Sequence, residues 1–419
     1  MDICLVSTFP PAPCGIATYC SYLIDGLLSA NMEVRITVLA EGPVAKDLRP
    51  RVHVIDAFSE DSDYVPMILH QVRACAPDVV HIQHEYGIFG FDDRFLRLLA
   101  GLRGIRIPIV VTLHTVHTRF SLDVSNCGWR AERRLPTGVD IEKLQRELCE
   151  LSDLIVVHQD WPMRTTLIEQ GACADRVASI SHGTRKETGI PSAVAKERLG
   201  YASDTPLLVA FGYFEVSKNH QRLLEAFSLL RRRQPNAKLW IGGHVRQPSP
   251  PALEYKARIE NLIHQMGLRE HVTLWEEALP ESEVQVLLSA ADVGCFVYRE
   301  DTYSSSGALH RTLGFGKPVV ASCVPKFHEL RQIAPEILAD PDSPEEIARL
   351  LIRLLEDCAF RTRIAGKALR FASQTSWHII AKAHLEVYHR ATAAVEAEFT
   401  ASVGGGRDAQ ADSGYVRGA

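Results

Sequence analysis

No apolar run in this 419-residue sequence approaches the roughly twenty residues that cross a bilayer, so a membrane-spanning helix is not its organising element. The ten cysteines form no CxxC pair. Several of them, Cys4, Cys295 and Cys323, lie inside apolar runs as small core residues, which points to a reducing cytoplasm. The stretch MDICLVSTFPPAPCG has no basic leader and breaks at prolines after one short apolar run, so neither a signal peptide nor an anchor is expected there. Strong charge is lacking too: a net charge of -5 gives no electrostatic reason to expect nucleic acid as the partner. Nor does GxGxxG follow the first strand, which weighs against an NAD oxidoreductase.

What is present is ordinary globular composition, 46% hydrophobic and 23% charged, in a chain long enough for two domains with a large core each. Apolar runs at 3–7, 33–39, 52–55, 79–83, 109–113 and 154–158 alternate with helical patterns. That βαβ rhythm implies a parallel sheet with helices on both faces. The rhythm restarts at 207–212, after a stretch from 185 to 202 that reads as a linker, and runs on through 238–241, 272–275, 293–298 and 318–322. A long final helix from Trp377 fits one returning across the first domain. The domains expected are therefore 1–187 with the crossover helix 377–398, and 188–376. A disordered tail is expected over 399–419. The pairs Asp61/Asp63 and Asp340/Asp342 fall in turn-like segments and read as turns rather than metal ligands.

Candidate chemistry gathers at strand ends. Two strands of the first half run into HIQHEYG and TLHTVHT, placing His84, Glu85, Tyr86, His114 and His117 where open parallel sheets bind ligands. A metal site competes for the histidines and Glu85. No HExxH-type pair fixes two of them on one helical face, which favours polar substrate contacts. Gly15, at the start of the first helix, allows a charged group close to the backbone. In the second half, Ser304-Ser305-Ser306-Gly307 opens a helix between two buried strands. Its unpaired amides at the positive dipole end favour an anion, above all a diphosphate. Lys218, in the loop after the strand 207–212, would neutralise the same charge if it points into the cleft between domains.

With these pieces in order, the chain resembles family 4 glycosyltransferases of the GT-B type over nearly all of residues 1–395. The landmarks are FPPAPCGIATY, VVHIQHEYGIFG, VVTLHTVHT, LSDLIVVHQD with ISHGT, FGYFEVSKNHQRLLEAF and SSSGALHRTLGFGKPVVAS. A subgroup with QHEYG and SGxL motifs is the most similar. The resemblance implies an α/β fold of two facing Rossmann-like domains with a C-terminal helix crossing back to the first. It also implies retaining, metal-independent transfer of a hexosyl group from a UDP- or GDP-linked sugar, without a further cofactor. The acceptor would be a glycan, a lipid-linked molecule or a small molecule; peripheral membrane contact and oligomeric state stay open. By position, Gly15 would lie near the donor phosphate, His114 would touch the transferred sugar and Lys218 would bind the diphosphate. Ser305, Ser306, Gly307 and Ala308 would complete that cradle. His84, Glu85, Tyr86 and His117 would face the acceptor. The sequence departs from the family at three places. Tyr213 replaces an arginine, and Tyr303 and Arg311 occupy the places of two glutamates, with Glu300 near enough to serve the sugar. A nucleotide-sugar epimerase of related fold and a non-catalytic sugar-nucleotide binding protein are the alternatives.

Overall fold

The computed structural model describes residues 1–44, 47–118, 139–243, 250–275, 279–299 and 302–408. Its first lobe is built on a seven-stranded sheet in the order β3-β2-β1-β4-β5-β7-β8. These strands are β1 (Asp2–Ser7), β2 (Arg35–Glu41), β3 (Val52–Phe58), β4 (Val79–His84), β5 (Ile109–Leu113), β7 (Leu154–Val157) and β8 (Val177–Ser179). The second lobe has six strands in the order β11-β10-β9-β12-β14-β15. They are β9 (Leu207–Phe211), β10 (Lys238–Gly242), β11 (Val272–Trp275), β12 (Val293–Phe296), β14 (Val319–Ser322) and β15 (Leu338–Ala339). Every pairing within the two sheets is parallel. All residues of β4, β5, β7, β12 and β14 are buried, as expected of strands covered by helices on both faces.

Both sheets are doubly wound. Strand order reverses between β1 and β4 in the first and between β9 and β12 in the second, and such reversals open a crevice at the strands' carboxyl ends. The helix Trp377–Asp408 crosses back and packs on the helix Gly15–Ala30, where Trp377, Ile380, Ala381 and Tyr388 join the first-lobe core. Where the chain passes between lobes, the two crossings lie side by side. The Thr184 amide donates to the Thr375 carbonyl at 2.7 Å, and the Thr375 hydroxyl donates to Thr184 Oγ1 at 2.8 Å.

Two expectations need correction. Helix continues to Asp408, into the segment expected to be unstructured from 399, and residues 409–419 lie outside those described. The stretch expected as linker carries the helix Ser192–Arg198, because Ala195 fits a second-lobe apolar cluster and Lys196 pairs with Asp292 at 2.8 Å. A further element joins the lobes. The short strands β6 (Thr115–Val116) and β13 (Tyr303–Ser304) pair antiparallel, tying the loop after β5 to the turn before the serine-capped helix.

Candidate functional site

At the second-lobe switch point, Gly212 and Tyr213 follow β9, and Val297 and Tyr298 follow β12. Together with Lys218 and His220 they line a small pocket. Lys218 ends a short 3-10 turn, Val216–Lys218, which carries its side chain over the Tyr298 ring at 4.1 Å from the centroid, with Glu215 at 4.0 Å. Lys218 is thus shared between the face of the Tyr298 ring and the Glu215 carboxylate. Gly212 has φ 151°, which disfavours a side chain, and a Cβ there would stand at ordinary contact distance, 3.7 Å from Tyr298 Oη and 3.9 Å from Lys218 Cε. Tyr213 reaches the first lobe, donating from its hydroxyl to the Pro13 carbonyl at 3.1 Å.

The helix Gly307–Gly314 begins where expected. Ser306 accepts from the Leu309 amide at 3.3 Å, which leaves the first-turn amides of Gly307 and Ala308 at the positive end, where no intrahelical acceptor exists. A Cβ on Gly307 would stand 3.7 Å from His182 Nε2 of the first lobe, and the His182 ring stacks on His310 at 4.4 Å. Ser305 lies 3.4 Å from His310 Nε2, and His310 is paired with Glu329 at 3.1 Å. Opposite, Gly15 starts a helix whose N-cap, Cys14, makes no side-chain capping bond, and nothing lies within 4 Å of where a Cβ on Gly15 would stand. Arg311 is held by Glu281 at 2.6 Å, and Tyr303 is held by backbone pairing with Val116.

The first-lobe residues differ from expectation. Both ring nitrogens of His114 are engaged inside the lobe, Nε2 with Gln83 Oε1 at 2.9 Å and Nδ1 with His158 Nε2 at 3.1 Å. A ring nitrogen of His114 is therefore not available to a sugar in this arrangement. Tyr19, which the sequence did not single out, packs among His114, His158, His182 and Trp377 with centroids 4.8 to 5.3 Å away. Burial keeps these rings neutral: His158 is pushed down to about 3, and His114 and His182 fall well below the ordinary range.

The four residues expected to face the acceptor are used as braces. His84 is buried against Phe89 and Phe95, and desolvation lowers its pKa to about 3. Glu85 accepts from the Tyr86 amide at 3.1 Å and from the Thr115 hydroxyl at 2.6 Å, using both oxygens to hold the loop after β5. Tyr86 is buried and donates to Gln145, and the same amide oxygen of Gln145 accepts from the buried His117 backbone at 2.7 Å. The HEYG and HTVH patterns could not reveal this, because Gln145 and Phe95 come from distant helices. Glu300 lies outside the described residues. Among the described residues no three His, Cys, Asp or Glu side chains group as metal ligands, and no helix is long and apolar enough to cross a membrane.

Comparison with known proteins divides along the two lobes. Residues 13–187 match the family described as Glycosyltransferase Family 4, and residues 205–357 match Glycosyl transferases group 1. A D-inositol 3-phosphate glycosyltransferase from Nocardioides sp. is 25% identical over 302 residues, covering 69% of this chain and 63% of that protein. One from Nocardia farcinica is 28% identical over 293 residues, covering 68% and 62%. The chain thus spans less than two thirds of the length of these relatives. Among solved structures, Anabaena HepE in complex with UDP superposes with a TM-score of 0.68 at 16% identity, covering 92% of this chain and 99% of that one. The sucrose-phosphate synthase of Thermosynechococcus elongatus gives 0.71 at 18% identity, covering 94% and 100%. At these identities the superpositions establish the fold, two facing parallel-sheet lobes of GT-B type.

Proposed function

From the match of residues 13–187 to Glycosyltransferase Family 4 and of residues 205–357 to Glycosyl transferases group 1, we propose a hexosyltransferase. The donor is a nucleotide-diphosphate sugar and the acceptor group is a hydroxyl. The observation that carries the reading is the placement of Lys218 at the second-lobe switch point, in a pocket whose rim meets the first lobe through Tyr213. Breaking a sugar-phosphate bond builds negative charge on the diphosphate and positive charge on the sugar. A lysine fixed in advance lowers the barrier by stabilising the leaving group, and the first-turn amides of Gly307 and Ala308 add to it where they meet the same diphosphate. These protein groups supply the charge a metal would otherwise bring. Transfer with retention follows if the acceptor attacks from the face the diphosphate leaves and the diphosphate takes its proton. UDP is favoured over GDP as carrier because the Anabaena neighbour holds UDP in the same fold.

Lys218→Ala is expected to cut transfer from a UDP-hexose by about a hundredfold or more, with the thermal midpoint of the free protein nearly unchanged. Near-normal turnover would remove Lys218 from the mechanism. A second reading, donor binding without transfer, is favoured by Tyr303 and Arg311 standing where typical members carry glutamates, the Tyr303 side chain packing against the first-lobe core and Arg311 pairing with Glu281. It predicts a thermal shift with UDP and neither transfer nor slow hydrolysis of any UDP- or GDP-hexose.

A further inference from the structure

His310 lies about one turn into the helix Gly307–Gly314 and is only 1% exposed. Packing alone would be met there by a leucine, as it is at Leu309 and Leu313 of the same helix. A buried imidazole is tolerated only with its nitrogens bonded, and both of these are. Nδ1 meets Thr184 Oγ1 at 2.7 Å, where the chain crosses between lobes. Nε2 meets Glu329 Oε1, from the helix His328–Ile333, at 3.1 Å and Ser305 Oγ at 3.4 Å.

The chemistry of the partners fixes where the hydrogens go. A carboxylate only accepts, so Glu329 requires the ring hydrogen to be on Nε2. Thr375 donates to Thr184 Oγ1, and the Thr184 hydroxyl in turn donates to Nδ1 of the neutral ring. A protonated Nε2 has no lone pair to offer, so Ser305 Oγ can only accept from it. The hydrogen of the serine hydroxyl is thereby left to point away from the ring. Ser305 is half-buried and stands immediately before the N-cap Ser306, and Gly307 beyond it is exposed beside His182 of the first lobe.

We infer that His310, backed by Glu329, is a positioning residue for the donor: it holds Ser305 Oγ as an acceptor, so that the serine hydroxyl gives its own hydrogen to an oxygen of the diphosphate. His310 itself touches no substrate. The inference rests on the transferase reading, which puts the diphosphate at this helix start. The bond from Nδ1 to Thr184 anchors the ring to the lobe crossing, so the serine takes its orientation from the crossing as well as from its own turn.

Isothermal titration of the full chain with UDP tests this through a double-mutant cycle. Ser305→Ala removes a hydrogen bond to a charged group and should weaken UDP about tenfold. His310→Asn keeps an oxygen for Thr184 but is too short to reach Ser305, and should weaken UDP at least about fivefold. In the Ser305→Ala background the same change should cost less than about twofold, because the residue it acts through is gone. His310→Gln, whose amide NH2 reaches both Glu329 and Ser305, should stay within about threefold of the native protein. A histidine that only supported the fold would lower affinity equally in both backgrounds. Equal losses therefore overturn the assignment, as does unchanged affinity in His310→Asn. Should His310→Asn fail to fold, Glu329→Ala carries the test. Without the carboxylate, the ring can hold its hydrogen on Nδ1 and draw the Ser305 hydrogen onto Nε2. A several-fold loss is expected in the native background and none after Ser305→Ala; equal losses, or no loss, overturn the assignment. Native protein that binds no UDP sinks the donor reading and this inference together, whereas UDP binding without the coupling sinks this inference alone.

Discussion

A methyl group on Gly183 would sit 2.4 Å from the Trp377 ring, and one on Gly26 would sit 2.4 Å from the Trp377 carbonyl oxygen. Both glycines are the price of letting the last helix lie against the first lobe. Gly183→Ala is expected to destabilise the protein by about 1 to 3 kcal/mol, because the ring it meets is itself buried and has nowhere to move. Urea unfolding monitored by tryptophan fluorescence checks it; an unchanged midpoint would mean that the last helix shifts freely. Residues of this kind are hard to read in sequence, since ISHGT shows a glycine but not the ring that faces it 194 positions later. Ser306 is easier, because a serine before a helical pattern has a local reason to be there, and the structure gives it the capping bond. His84, Tyr86 and His117 show the opposite case. They stand at strand ends, as ligand-binding residues do, yet long-range packing turns them inward.

Among the elements, most strands of the two sheets were legible to within about three residues, while the short edge strands β8 and β15 were not. A run such as Ile109–Leu113 is apolar on both faces, and only a strand covered on both sides uses that pattern. The β6/β13 pair was not legible. Its two-residue strands have no periodicity, and they pair from distant parts of the chain only because both sheets are already in place. The serine-capped helix is where an element bears directly on function. Ser306→Ala removes the bond to the Leu309 amide and should cost about 1 kcal/mol of stability. If the first-turn amides hold the diphosphate, UDP affinity should fall at least severalfold in the same variant, while Ser343→Ala, at the N-cap of Pro344–Glu356, should lose similar stability with no change in UDP affinity. Isothermal titration of both variants with UDP separates the two cases, and equal UDP affinities would detach the helix Gly307–Gly314 from the donor.

Across the whole molecule, the shared property is a set of neutral histidines that neither lobe can charge. Desolvation holds His84, His158 and His220 at about 3 and His384 at about 4, against an ordinary value of 6.5. Three of them belong to the first lobe or to the helix that crosses it, and His220 belongs to the second. In the unfolded chain these rings take up protons as pH falls through about 6.5, while the folded chain refuses them until well below, so the unfolded state binds more protons and stability falls on acidification. The stabilisation is fully present above the unfolded value and is withdrawn between about pH 6.5 and the folded values. Each ring should remove about 1 kcal/mol between about pH 6.5 and pH 5.5, roughly 4 kcal/mol for the four together. Glu336, held at about 2 against its desolvation by a backbone hydrogen bond and by Arg363 and Lys367, acts only below about pH 4.5 and leaves that window to the histidines. Denaturant midpoints at about pH 7.5, 6.5 and 5.5 should therefore drop steeply over the last step and little over the first. A flat profile from 6.5 to 5.5 would show that the lobes open enough to hydrate these rings before they unfold, and burial of His84, His158, His220 and His384 would then add nothing to stability against acid.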